Sequence, residues 1–283
     1  MNEVLGPTRV DEIIPGRLFR VASPLPLDGS ISFAAVDPER VEWVNCYVLT
    51  SPGRALLIDS GVRIHAHGVV DAVRGIVGDS VLEVTITRTE PDTLGNIFHV
   101  IAELGVETVT IFGNHVHPLD FSNAIDGGPE VVEKGDLMVS RRPFADRFEL
   151  NGFELESIPA PMRVLATAWL YSAELKTLFT SDAFGFVKPL SLDDDPVDRE
   201  PLDLQDEVAV ALFHANVRAK FGWLAQTRSD QMLDAAGAVF AERDVDLVAP
   251  THGKMLAGSP VIDSHLAGLR RLPSAYPIEG HNR

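Results

Sequence analysis

Residues 81 to 104 constrain this chain more than any other stretch. A strand-like run, Val81 to Thr87, leads into the turn Arg88-Thr89-Glu90-Pro91-Asp92-Thr93-Leu94-Gly95, and a helix-like run follows from Leu94 to Leu104. On that helix Ile97, Phe98, Ile101 and Leu104 share one face, and Gly105 supplies a C-terminal stop. Upstream, Val44 to Leu49 and Arg54 to Asp59 read as a hairpin around Ser51-Pro52-Gly53, and Val69 to Val77 has apolar residues at helical spacing. Downstream, Glu107 to Phe112 reads as another strand. Strand, helix, strand, helix and strand in succession imply an α/β protein in which helices cover the outer face of a sheet.

The second half repeats the theme with more strands. Val131 to Val139, Phe148 to Pro159 and Ala168 to Phe179 read as short strands with turns between them. Ser229 is placed to cap a helix whose buried face is Met232, Leu233, Ala236, Val239 and Phe240. Asp246 to Pro250 reads as a final buried strand. Lys188 to Asp206, rich in acid and proline, reads as an exposed loop or a lid. No repeat and no linker is visible, so residues 1–283 are expected to form a single domain.

Charge and cysteine content narrow the partners. A net charge of −17 repels phosphate backbones, which argues against nucleic acid. No apolar run is long enough for a membrane span, and Met1 to Val10 lacks the pattern of a secretory signal. The single cysteine, Cys46, sits in an apolar strand pattern and reads as a small core residue. These features together point to the cytoplasm.

Five blocks in order resemble the metallo-β-lactamase superfamily, and within it the diiron domain of flavodiiron proteins. They are Asn45 to Leu49 with Ala55 to Gly61, the turn Arg88 to Gly95, Pro159 to Arg163 with Tyr171 eight residues on, Leu178 to Gly185, and Val248 to Gly253. The resemblance spans about residues 40 to 265 and implies an αββα sandwich, because independent local signals agree in order and spacing. In that branch the turn reads His-x-Glu-x-Asp-His. Here Glu90 and Asp92 stand in place, while Arg88 and Thr93 hold the histidine positions.

The resemblance also assigns the remaining ligand positions. The first metal would take positions 88, 90 and 163, here Arg88, Glu90 and Arg163. The second would take Asp92, Thr93 and His252, and Asp182 stands where the bridging aspartate belongs. Arginine is always protonated and has no lone pair to offer, so the first site reads as lost. Two readings of the second site stand. Asp92, Asp182 and His252 form an oxygen-rich set that suits one Fe or Mn, with water or Thr93 completing the sphere. Alternatively, Arg88 and Arg163 pair with the carboxylates and do the metals' structural work, leaving the site metal-free. No Gly- and Thr-rich phosphate loop of a flavodoxin domain is present in the sequence, so FMN is not expected on this chain.

Other residues compete for attention. His65 and His67, and His115 and His117, have the His-x-His spacing of paired ligands; solvent-exposed or hydrogen-bonded histidines are the plainer reading. His214 and Asn216 lie in a helical pattern near Phe213, Phe221 and Trp223, which resembles the family's aromatic helix beside the metal pocket, with ordinary packing as the plainer reading. Three functional classes follow. The favoured one is a binding or regulatory protein with Arg88 and Arg163 offered to a small anionic ligand. The others are an oxygen-binding or oxygen-reducing oxidoreductase with one metal, and a metal-dependent hydrolase, which needs a metal-bound hydroxide. The resemblance further implies a homodimer, to which the Phe213, Phe221 and Trp223 region could supply an apolar contact.

Overall fold

The computed structural model describes residues 6–31, 33–118, 120, 137–163, 165–227 and 229–272. Two seven-stranded sheets face each other. The first runs in chain order: β1 (Arg9–Ile14), β2 (Leu18–Pro26), β3 (Val41–Ser51), β4 (Arg54–Ile58), β5 (Val81–Thr85), β6 (Thr108–Phe112) and β7 (Met138–Arg142). The second comprises β8 (Asp146–Leu150), β9 (Phe153–Pro159), β10 (Ala168–Ser172), β11 (Thr177–Ser181), β12 (Val197–Asp198), β13 (Leu247–Pro250) and β14 (Met255–Ala257), in the spatial order β12-β14-β13-β11-β10-β9-β8.

Strand alternation builds the layers. Along β4, Ala55 and Leu57 join the cluster under α1 (Ala66–Val77) and α3 (Ile97–Leu104), while Leu56 and Ile58 point the other way. There they meet Leu155, Leu170 and Phe179 of the second sheet. A strand buried on both faces has to be apolar throughout, which is what the sequence of β4 provides. The far side of the second sheet is covered by α4 (Glu207–Phe221), α5 (Asp230–Ala241) and α6 (Ser259–Arg270). The result is a helix–sheet–sheet–helix sandwich, the αββα architecture expected from the sequence. Among the described residues no helix is long and apolar enough to cross a membrane.

Parallel pairing sets where a site can form. β4, β5 and β6 run parallel, as do β11 and β13. Their C-terminal ends therefore lie along one edge, and the chain leaves them through Asp59, Arg88, Asp182 and His252. Asp59 and Ser181, at two of these exits, adopt φ of 61° and 53°. Such left-handed positions cost on the order of 1–3 kcal/mol for residues other than glycine and persist only where the surroundings hold them.

Several local expectations need correction. Ser229 precedes α5 but makes no side-chain capping bond, whereas Asp206 caps α4 by accepting from the backbone N–H groups of Val208 and Ala209. Residues 188–206 are not all exposed loop: Lys188 is buried, and Val197–Asp198 adds an edge strand to the second sheet. Phe213 and Phe221 lie in the core of their own chain, so they are not available as a contact for a second copy; Trp223 packs against that core half-buried. The strand expected over 131–139 falls mostly outside the described residues, which place β7 at Met138–Arg142. β1 and β2 were not legible, because their sequence mixes charged and apolar residues without a clear period.

Gly95 fixes how the turn after β5 meets the rest. A Cβ added there would lie 2.6 Å from the Pro91 carbonyl oxygen and 2.7 Å from both the Arg63 nitrogen and the Gly61 oxygen. All three are backbone atoms and cannot rotate away. Gly95→Ala is expected to destabilise the protein by about 1–3 kcal/mol or more, read as a lower urea midpoint at unchanged slope.

Candidate functional site

The turn after β5 is held by its own residues. Glu90 precedes the one-turn helix α2 (Pro91–Leu94), and Pro91 takes the first helical position, where no N–H is needed. The Thr93 hydroxyl sits 2.7 Å from the Arg88 carbonyl and 2.9 Å from that of Glu90, and it accepts from the Glu90 N–H at 3.3 Å. Thr93 therefore closes the turn. It does not offer a ligand atom to the site, contrary to the role considered for it in a metal sphere.

Arg88 is 1% exposed and makes a bridge between the sheets. Its backbone pairs with Thr167. Its guanidinium donates from Nη2 to Asp92 and, at 2.9 Å, to Asp182 Oδ1, and from Nη1 to Ser181 Oγ at 2.6 Å. Nε stands 3.3 Å from Glu90 Oε2. Arg163, from the loop before β10, donates to Glu90 and lies 3.1 Å from Asp182 Oδ2. Behind it the ring of Phe221 lies 6.0 Å away.

The far wall comes from α4 and β13. His252 is fully buried; its Nε2 lies 2.6 Å from Asp92 Oδ2 and 3.5 Å from Asp182 Oδ1. Phe33 packs on the imidazole at 4.6 Å between centroids. Lys220, in the last turn of α4, reaches Asp182 Oδ1 at 3.4 Å with a side chain 3% exposed. Beneath His252, Glu42 accepts from the Gly253 N–H at 3.0 Å and pairs with Lys188 at 2.6 Å, both side chains being buried.

The charges follow from this packing. Burial pushes Asp92 upward, but the Arg88 guanidinium and then His252 outweigh it, and the carboxyl is held well below its usual range. Asp182 is likewise lowered: burial opposes, and Arg88 and Lys220 prevail. Arg88 is raised, since its carboxylates outweigh the desolvation that opposes them. Burial, with help from Lys220, lowers His252 and so favours the neutral imidazole, whose Nε2 faces ionised Asp92. Burial also brings Lys220 down to about 8. Asp59 stands apart. It accepts from the Thr87 N–H at 2.8 Å and from the Thr87 and Thr251 hydroxyls, yet desolvation still lifts it to about 7.

Of the seven positions singled out in sequence, six converge on one cluster, and Thr93 braces it from the backbone side. The donor atoms of Asp92, Asp182 and His252 lie within 4.8 Å of one another. The paired histidines do not join them. His65 Nε2 is bonded to the Pro24 carbonyl at 2.8 Å, His67 is exposed and stacks edge-on with His99, and His115 accepts from the Phe112 N–H at 3.5 Å. His117 also has a partner of its own. His214 and Asn216 pack within the chain, on the carbonyls of Gly268 and Phe186. Sequence reasoning missed Lys220, Ser181, Glu42 and Phe33. Lys220 carried a signal: with Phe213, Asn216, Val217 and Phe221 it falls on one stripe of α4, where a lysine has to be buried or snorkel.

No protein-family model and no curated protein matches the chain. Solved structures do. A flavodiiron protein from Giardia intestinalis superimposes with a TM-score of 0.66 at 16% identity, covering 93% of this chain and 59% of that one. Rubredoxin oxygen:oxidoreductase from Desulfovibrio gigas gives 0.65 at 14%, covering 92% and 60%. A metallo-β-lactamase from Pontibacter korlensis gives 0.56 at 16%, covering 93% of this chain and 99% of its own. The chain thus spans about three fifths of the length of the first two of these structures. It has the metallo-β-lactamase fold, in the form that flavodiiron proteins share.

Removing Arg88 would take a guanidinium from two buried carboxylates, leaving Asp92 with His252 and Asp182 with Arg163 and Lys220. Arg88→Ala is expected to cost about 3–5 kcal/mol in chemical denaturation, and Arg163→Ala less, because Arg163 is partly solvated. Stability should also respond to pH in two windows. Asp92 and Asp182 bind protons more weakly folded than unfolded. Their contribution is full above 3.8, the ordinary carboxylate value, and is lost as the pH falls below it. Asp59 acts the other way, holding a proton when folded between 3.8 and about 7, so stability declines as pH rises through that window. Asp59→Asn should flatten that decline in urea midpoints measured from about pH 5 to about pH 8.

Proposed function

We propose that this chain is a metallo-β-lactamase-fold protein in which internal cations have replaced the dinuclear centre, and that it acts as a binding or regulatory protein without redox chemistry of its own. The observation that supports this reading is the position of Arg88 Nη2, which donates to both Asp92 and Asp182, the oxygens a second metal would need. Arg163 does the same between Glu90 and Asp182, where the first metal would sit. A guanidinium at each position repels a dication and satisfies the carboxylates by hydrogen bonds. His252 Nε2 is committed to Asp92 at 2.6 Å.

A cavity of about 480 Å³ opens beside the cluster, a size suited to a small molecule. Phe33, Val62 and Pro91 form its apolar side, and Glu90, Asp92, Asp182, Arg163 and Lys220 its polar side. Arg88 is sealed from it by burial and Lys220 very nearly so, which leaves the acceptance of a small anionic ligand mainly to Arg163, in place of the Arg88–Arg163 pair read from the sequence. Elemental analysis of protein purified without added metal should find no stoichiometric iron, manganese or zinc; two equivalents per chain would sink the proposal. Small carboxylates and phosphates should raise the melting temperature, and Arg163→Ala should abolish that shift.

One observation favours a second reading. The compact donor set of Asp92, Asp182 and His252 is rich in oxygen, as a single Fe or Mn site would be. On that reading the chain is an oxygen-binding or oxygen-reducing protein like the flavodiiron structures it resembles, and FMN or another reductant comes from elsewhere. Oxygen consumption that scales with bound iron would establish it. The homodimer implied by the resemblance is likewise a proposal, and light scattering should give twice the 30.8 kDa of one chain.

A further inference from the structure

The cavity beside the cluster is mixed in charge. Glu90, Asp92 and Asp182 line it together with Arg163 and Lys220, so three carboxylates stand against two cations along its wall. Water reaches these side chains unequally. Glu90 is 27% exposed and Arg163 14%, against 8% for Asp92, 6% for Asp182 and 3% for Lys220. An entering ligand therefore meets one carboxylate and one guanidinium first, and these two are bonded to each other. Both keep capacity for a further partner. Arg163 reaches Glu90 and Asp182 through Nη2; among the described residues its Nε is buried without an acceptor and no hydrogen bond leaves Nη1. A guanidinium has five hydrogens to place, so Nη1 remains for an incoming acceptor. Glu90 receives Arg163 on Oε1 and stands 3.3 Å from Arg88 Nε through Oε2, and its exposed part leaves room for one donor more.

A ligand with negative charge alone would gain from Arg163 and be opposed by Glu90 beside it. A ligand that carries both signs would gain from both. An α-amino acid holds its ammonium and its carboxylate on one carbon, a short spacing that matches a directly bonded Arg–Glu pair. The two contacts can form at once without parting Arg163 from Glu90. The rest of the wall is apolar: Ile31, Phe33, Val62, Pro91 and Ala219 line the same cavity of about 480 Å³. Phe33 packs on the His252 imidazole at 4.6 Å and lies 5.2 Å from the Lys220 ammonium. Pro91 follows Glu90 directly, so apolar surface begins next to the exposed carboxylate. Such a surface suits an aliphatic or aromatic side chain.

We infer that this cavity binds a free α-amino acid with an apolar side chain, its carboxylate held by Arg163, its ammonium by Glu90, and its side chain against Phe33, Val62 and Pro91. The inference rests on the reading of the cavity as an anion-accepting pocket in a metal-free protein, and adds to it the second charge and the apolar tail.

Titration calorimetry of the whole chain with L-leucine tests this, beside three compounds that each lack one part. Isocaproate lacks the ammonium, isoamylamine lacks the carboxylate, and glycine lacks the apolar side chain. Leucine should bind, and each of the three should bind about tenfold more weakly or worse, the factor that one charge-assisted hydrogen bond or one buried side chain supplies. Arg163→Ala should abolish leucine binding. Glu90→Gln should weaken leucine and strengthen isocaproate, a reversal that general damage to the pocket would not produce. Should a variant fail to fold, the four compounds on the wild-type chain still decide. Isocaproate or glycine binding as tightly as leucine, or more so, overturns the inference and leaves anion acceptance standing. Isoamylamine binding as tightly as leucine overturns both. So does a lack of binding by all four compounds, or leucine binding unchanged in folded Arg163→Ala.

Discussion

A guanidinium shut away from water must find its acceptors inside the protein, and Arg88 finds them on both sheets. It leaves the end of β5 in the first sheet and donates to Ser181 and Asp182 at the end of β11 in the second, and to Asp92 on the short helix of its own turn. The apolar layer between the sheets brings those strand ends together without directing them. The ion pairs give direction, because each donor has one geometry in which its acceptors are met. Breaking such a buried pair is costly even where the pair itself contributes little net stability, so the cluster specifies the alignment of the two sheet edges more than it stabilises the fold.

The local charge balance contrasts with the chain as a whole. The sequence carries a net −17, yet the described ion pairs at the cluster set three cations against three carboxylates. The excess negative charge lies elsewhere, much of it in exposed acids such as those of residues 193–206, and screening by salt makes it of little consequence inside the site. Asp92 and Asp182 are thus structural partners, held ionised by their neighbours. Asp59 differs because its partners are neutral hydroxyls and an N–H group, too weak to offset its desolvation in full.

Similarity to known structures bears on the scaffold and stops there. A fold shared at 14–16% identity says where the strand ends converge, and the identity of the side chains at those ends decides the chemistry. The two levels separate cleanly here. Glycines and small residues that let the backbones approach are in place: a Cβ at Gly95 or at Gly185 would collide with backbone atoms. The residues facing the centre of the site are Arg88, Glu90, Asp92, Arg163, Asp182, Lys220 and His252, and their identities, not the fold, set its chemistry.

Much of this was legible in the chain itself. The unbroken apolar run of β4, helical spacing in α1 and α3, and the stop at Gly105, which adopts a left-handed φ of 66°, are local features that local physics suffices to read. The turn from Arg88 to Gly95 was equally readable, and so was the impossibility of arginine as an ordinary ligand, because that is a property of the residue and not of its setting. The sequence could not say that Thr93 turns to the backbone, that Arg88 is closed off while Arg163 is not, or that Lys220 completes the balance. Those outcomes depend on which side chains meet across a gap of 38 to 160 residues, as in Lys220 with Asp182 and His252 with Asp92. A hydrogen bond acts over a few ångströms, so residues that far apart in the chain become partners only once the two sheets have closed on each other.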